Sequence, residues 1–168
     1  MLLDFHFKNY KSFLEETCFS MMAAPKQKGL DYSLFNIKKH GKDIKGLCSS
    51  VIYGANAAGK TAVVGAIDTF RSIVLRGHIR NSEDLSSPNH AASNLSLIPN
   101  NSLTKAEPVE FFIDFIIDKF RIQYGIIMDL GLFLDIKHQR KILSETLTIN
   151  SNLIFERKHN VGTSPSLK

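Results

Sequence analysis

Val51-Ile52-Tyr53-Gly54-Ala55-Asn56-Ala57-Ala58-Gly59-Lys60-Thr61 is the stretch on which the fold turns. A short apolar run leads into GANAAGKT, and an amphipathic segment follows it. That is G-x-x-x-x-G-K-[ST] in the order strand, loop, helix, the context that gives the pattern physical meaning. Gly54 and Gly59 permit backbone torsions and close approaches that a Cβ would block. Successive N–H groups can then converge on an anion, and the following helix adds the positive end of its dipole. Lys60 supplies an ammonium for the β- and γ-phosphates, and the Thr61 hydroxyl is a hard oxygen ligand for Mg²⁺. The alternative is a glycine-rich turn that happens to precede a helix. A chance match of four fixed positions in a chain this long is on the order of one in a hundred or less.

Outward from the loop, composition sets the limits. At 168 residues the chain fits one domain and can bury a core without covalent staples. Its hydrophobic content of 43% and charged content of 22% are ordinary for a globular protein, and no apolar run is long enough to span a bilayer. The opening MLLDFHFKNYK lacks a basic region followed by an apolar stretch, so it does not read as a secretory signal. Cys18 and Cys48 lie far apart without CxxC spacing, which predicts reduced core thiols in a cytoplasmic protein. The histidines are scattered, so no zinc site is expected. The net charge of +5 comes partly from Lys38, Lys39, Lys42 and Lys45 around His40. Such a run is either a nucleic-acid footprint or a solvated hairpin tip, and Gly41 at its centre favours the tip.

Residues 2–8 alternate, with Leu3, Phe5 and Phe7 on one face, which predicts a half-buried strand. A less regular strand over 14–22, a short one through 34–37 and an apolar one over about 47–53 should precede the loop. The helix after it should run from Gly59 to Arg76, burying Val63, Ile67, Phe70 and Val74 and stopping at Gly77. Residues 81–105, rich in Ser and Asn, read as a long surface excursion. Val109–Ile117 and Phe120–Met128 form a hairpin across Asp118-Lys119. The segments 131–136, 142–149 and 152–157 extend the meander, and 159–168 reads as a disordered tail.

Phe115-Ile116-Ile117-Asp118 loosely fits a strand ending in a metal-binding Asp, but a second β run follows at once, so Asp118 reads as a turn residue. The alternating βαβ units of a doubly wound sheet are missing. An antiparallel meander around one phosphate loop and helix instead resembles the N-terminal lobe of the ABC/SMC/RecF-like ATPase heads. MLLDFHFKNYKSFLEE resembles the opening strand and turn of AAA-type ATP-binding proteins in that group, several of which act in abortive infection and phage defence. Ser144-Glu145-Thr146-Leu147 and Phe155-Glu156-Arg157-Lys158 resemble the same family, so the likeness extends over residues 1–158.

The resemblance implies an α/β P-loop NTPase fold with an antiparallel β meander, a partial ATPase domain over 1–158. Gly54, Ala55, Asn56, Ala57, Ala58, Gly59, Lys60 and Thr61 would bind the phosphates of ATP, with Thr61 on Mg²⁺. The Asn9–Phe13 turn would lie near the base or ribose, with Lys11 and Ser12 as the candidates. Ala58 stands where many relatives have Ser, and a small residue suffices there.

The family's other parts have no match. No apolar run ends in Asp-Glu, Leu85-Ser86-Ser87-Pro88 lacks the signature glycine, and Gln123 and Gln139 lie in β context. The chain therefore reads as an incomplete head whose remainder would come from a second copy or a partner chain. Phosphoryl transfer is mostly positioning and electrostatics, so such a loop is expected to bind ATP with impaired hydrolysis, and no catalytic residue is identified. A non-catalytic nucleotide-binding or interaction module is the alternative. A small complete P-loop kinase or GTPase is a third, disfavoured by the meander and by the lack of a guanine-reading Asn-Lys-x-Asp run.

Overall fold

The computed structural model describes residues 1–24, 29, 31–39, 42–79, 97–133, 135 and 137–165. Strands β1 (Leu2–Lys8), β2 (Thr17–Ser20), β3 (Leu34–Lys39) and β4 (Lys42–Leu47) precede helix α1 (Lys60–Arg76). After it come β5 (Val109–Ile117), β6 (Phe120–Asp129), β7 (Lys141–Ile149), β8 (Asn152–Lys158) and β9 (Val161–Thr163). Seven strands form one sheet in the order β2-β1-β5-β6-β7-β8-β9, and every pairing within it is antiparallel. The remaining hairpin, β3–β4, attaches to the chain just after β2 through backbone bonds at Met21 and Ala23. The molecule is thus a sheet-dominated α/β structure with one helix among the described residues.

The period-two pattern of β1 has its expected consequence, since Leu3, Phe5 and Phe7 are buried and their neighbours half-buried. Register carries that face across the sheet. Phe7 stands opposite Phe111, Phe111 opposite Ile126, and Val109 opposite Met128. Helix α1 lies on this face and buries Ala62, Ala66, Thr69, Phe70 and Ile73 against it. Of the expected stripe only Phe70 is buried; Val63 and Ile67 are half-buried against the core. Val74 is 52% exposed, while Thr69 is buried because its hydroxyl bonds the Tyr10 hydroxyl at 3.1 Å. The helix ends where a left-handed residue was expected, at Gly77 (φ 70), whose N–H donates to the Ile73 carbonyl.

The opposite face of the sheet mixes apolar residues, Phe112 and Ile116 among them, with a buried charge. Asp114, 3% exposed, accepts from Arg121 Nε at 3.0 Å and Nη2 at 2.5 Å and from Gln123 at 3.0 Å. This bond holds the Arg121 guanidinium above its ordinary pKa, against the opposing effect of burial. It also relieves the pairing of Asp114 with Asp4 across β1 and β5.

Several expectations need correction. The strand expected over 47–53 is absent. β4 ends at Leu47, and Val51, Ile52 and Tyr53 are 83%, 38% and 91% exposed. A strand needs a neighbour to bond, and none of the described strands pairs with this segment. The chain over 131–133 is likewise not a strand, and the meander resumes at Lys141. Cys18 and Cys48 are free thiols but exposed, not core. Of the excursion expected over 81–105, residues 81–96 lie outside the described residues; Leu97 and Asn100 are buried, at 2% and 6% exposure, while Asn101, Ser102, Thr104 and Lys105 are exposed. The tail contains β9, which pairs with β8; residues 166–168 lie outside the described residues. His40 and Gly41, the centre of the basic run, also lie outside them.

The core makes a simple demand. Phe111→Ala, at 1% exposure in the aromatic cluster, should cost about 3–5 kcal/mol in urea denaturation. Phe35→Ala, at 57% exposure on the β3–β4 hairpin, should stay within about 0.5 kcal/mol of the wild type.

Candidate functional site

Helix α1 begins abruptly because Gly59 turns the chain in the left-handed region (φ 86, ψ 4). No side chain caps its N-terminus, so the N–H groups of the first turn are not covered by a Ser, Thr, Asp or Asn oxygen. Ala57 is also left-handed (φ 63), and Ala58 between them is not. Alternation of handedness turns successive N–H groups toward one side, which makes a concave anion nest. For Ala57 that conformation carries steric strain, the kind of local cost that clusters at binding sites. Residues 51–58 are exposed, as is Thr61 in the first helical turn.

Lys60 folds back over this loop. Its Nζ donates to the carbonyls of Gly54 at 2.8 Å and Ala55 at 2.6 Å. The remaining candidates, Lys11 and Ser12, come from the turn that follows β1. Two backbone bonds between Tyr10 and Phe13 (2.8 and 3.0 Å) close that turn, and Lys11 within it is left-handed (φ 50). The turn is pressed against the loop and helix. A Cβ placed on Gly59 would lie 2.7 Å from the Phe13 ring and 3.3 Å from Ser12 Oγ. One placed on Gly65 would lie 3.4 Å from Lys11 Nζ, whose ammonium also sits 5.3 Å from the centre of the Tyr10 ring. Loop 54–61 and turn 9–13 are therefore neighbours, although more than forty residues of chain separate them.

Electrostatically the site is cationic. Among the described residues neither Lys60 nor Lys11 forms an ion pair, whereas Lys8 nearby is paired with Glu110 at 3.4 Å. No group of three or more His, Cys, Asp or Glu side chains among the described residues is arranged to hold a metal ion. The donors present suit phosphate oxygens, and the exposed Thr61 hydroxyl is the oxygen that Mg²⁺ would take.

Other candidates lie elsewhere. Asp118 occupies the β5–β6 turn, left-handed at φ 53. Register places it beyond the Leu2 end of β1, while turn 9–13 follows Lys8 at the other end, about 20 Å away at the rise of a strand. Glu145 and Arg157, from the late segments, pair with each other at 2.6 Å on the helix-facing side of the sheet. Tyr124 donates to Glu145, and burial first, then this bond, raises the tyrosine pKa. These are structural partners. On the basic hairpin Lys38 stands opposite Asp43 and Lys45 opposite Asn36, so an acid and an amide interrupt the positive charge. One contributor escaped the sequence reading: Asn100, 6% exposed, donates its amide to the Lys11 carbonyl at 2.8 Å. Its only signal was position, within the polar Pro99-Asn100-Asn101 run.

A glycine-containing loop that opens a helix, joined to an antiparallel sheet, is the arrangement that these residues define. Residues 49–163 match the family described as "AAA domain, putative AbiEii toxin, Type IV TA system". The chain belongs to that family, an AAA-type ATPase domain linked to abortive infection. No curated protein and no solved structure matches the chain. No described helix is long and apolar enough to cross a membrane.

Two glycines separate strain from clash. At Gly77 (φ 70) nothing lies within 4 Å of an added Cβ, so Gly77→Ala should cost only backbone strain, about 1–2 kcal/mol. Gly59→Ala adds collision with Phe13 to the same strain and should cost measurably more in thermal or urea melting.

Proposed function

We propose that this chain binds ATP with Mg²⁺ at residues Gly54–Thr61, as the N-terminal part of an ATPase head acting in phage defence. The supporting observation is the uncapped start of α1, where left-handed Ala57 and Gly59 curl the loop beside the Lys60 ammonium. Phosphate oxygens would accept from the backbone N–H groups and from Lys60, exchanging two neutral carbonyl partners for charge-assisted ones. Thr61 would ligand Mg²⁺, and Lys11 and Ser12 would meet the part of the nucleotide beyond the phosphates. Membership of an AAA-type family linked to abortive infection supports both the ligand and the setting.

Hydrolysis needs carboxylates to hold Mg²⁺ indirectly and to orient water. No acidic cluster among the described residues supplies them. A second copy of the chain or a partner chain would complete the head. The exposure of Val51 and Tyr53, and of Val64 (59%) and Leu75 (65%) on α1, supports a further layer on that side. A non-catalytic nucleotide-binding module remains the second reading, favoured by the same lack of acids. The antiparallel sheet tells against a small complete kinase or GTPase.

Thermal melting tests the binding reading. MgATP at about a hundredfold over Kd should stabilise by roughly 2.7 kcal/mol, an increase of roughly 5–10 °C in melting temperature. Lys60→Ala should remove most of that increase, because charge-assisted bonds to phosphate are worth roughly 1.5–3 kcal/mol. A cooperative melt that MgATP leaves unmoved would sink the proposal. A second expectation concerns turnover: the isolated 168-residue chain should show none above background in a phosphate-release assay.

A further inference from the structure

The turn carrying Lys11 and Ser12 is gripped by two crossed carboxamides that no loop motif requires. Asn9 is fully buried and left-handed (φ 52). Its Nδ2 donates to the carbonyls of Glu107 at 2.8 Å and Pro108 at 3.3 Å, and its Oδ1 accepts from the backbone N–H of Asn100 at 2.9 Å. Asn100 returns the contact, donating from Nδ2 to the Lys11 carbonyl at 2.8 Å. Its Oδ1 is occupied by the N–H and hydroxyl of Ser102, at 2.9 and 2.5 Å. The Lys11 N–H donates to the Ile98 carbonyl at 2.9 Å, so both polar groups of the Lys11 backbone are held by residues 98–100.

Lys11 needs such a grip. A long side chain at φ 50 is in a region that non-glycine residues leave when nothing holds them. Released, the residue would rotate to negative φ and carry its ammonium away from Gly65 and the start of α1. Each carboxamide has a single compatible arrangement, because donors and acceptors are used at both ends. The buried pair therefore fixes one conformation of the turn before any ligand arrives.

We propose that Asn9 and Asn100 are positioning residues for nucleotide binding, holding Lys11 in the conformation that meets the ligand and so coupling residues 97–102 to the site. The inference rests on the nucleotide-binding reading above. A site whose competent conformation is only partly populated loses apparent affinity by that fraction, and this is what the clamp prevents. Asn100→Asp is the informative change: it keeps the acceptor for Ser102 and nearly the side-chain shape, and it turns the bond to the Lys11 carbonyl into a repulsion between a carboxylate and a carbonyl oxygen.

The experiment is calorimetric titration of the full chain with MgATP, each variant held well below its own melting midpoint. Asn100→Asp should weaken binding about tenfold, and Lys11→Ala by a similar factor. The double variant should bind within about twofold of Lys11→Ala alone, because both changes remove the same contact. Phe120→Ala, half exposed at the β5–β6 turn and away from turn 9–13, should bind within about twofold of wild type. Should Asn100→Asp not fold, Asn9→Asp releases the clamp from its other end and should show the same loss. A lower melting midpoint with unchanged MgATP affinity would overturn the proposal, as would losses that multiply in the double variant. Wild type that binds no MgATP, or Lys60→Ala that binds as well as wild type, would remove the phosphate-loop reading itself. Intact, Lys60-dependent binding with no Asn100 effect removes only the clamp.

Discussion

Phe70 of α1 lies 5.6 Å from the ring of Phe5, 6.1 Å from Phe111 and 5.5 Å from Tyr124, mostly edge to face. These rings belong to the helix and to three strands, β1, β5 and β6, so a single cluster locks the helix onto the middle of the sheet. Aromatic pairs of this geometry add about 0.5–1.5 kcal/mol each beyond the burial of their area. Tyr10 extends the cluster, packing on Phe7 and Phe111 while its hydroxyl reaches Thr69 of α1. Everything at the loop end depends on this packing. It sets where the helix begins relative to the end of β1, and hence where the loop meets the turn.

Local pattern made part of this legible. Alternation marked β1, two apolar runs around Asp118-Lys119 marked the β5–β6 hairpin, and a 3.6-residue period with Gly77 marked α1. In each case the signal lies within one element, where side-chain period and turn chemistry act. Pairing between distant segments is different. Val51–Tyr53 reads as a strand because its residues are apolar, but a strand exists only if a neighbour bonds it. β9 was lost for the opposite reason, since Gly162 and Pro165 give its surroundings the look of a tail. At the candidate site, the loop and the turn could each be singled out from sequence, but their adjacency could not. The Asn9–Asn100 clamp joins residues 91 positions apart, and no period or spacing reports such a contact.

Helix α1 is apolar on more than one side. One stripe is buried on the sheet, while Val64, Val74 and Leu75 point elsewhere, at 59%, 52% and 65% exposure. A helix that needed to bury only one face would carry polar residues at those positions. Val51 and Tyr53, just before the loop, are more exposed still. Scattered exposed apolar residues are normal, but here six of them, Ile52 included, belong to the loop's leading segment and its helix. The concentration falls on the elements that carry the loop.

The geometry also bears on the size of the proposed ligand. Ser12 meets the helix at Gly59, and Lys11 Nζ meets it at Gly65. Six residues of helix separate these points, about 9 Å at 1.5 Å per residue. A lone phosphate held at the start of α1 fills only the loop end of that span. A ligand that used both Lys60 and Lys11 would have to extend along the flank of the helix, with an anionic or polar group at each end. The proposed nucleoside triphosphate would place its charged phosphates at the loop end and its neutral, polar ribose and base toward Lys11.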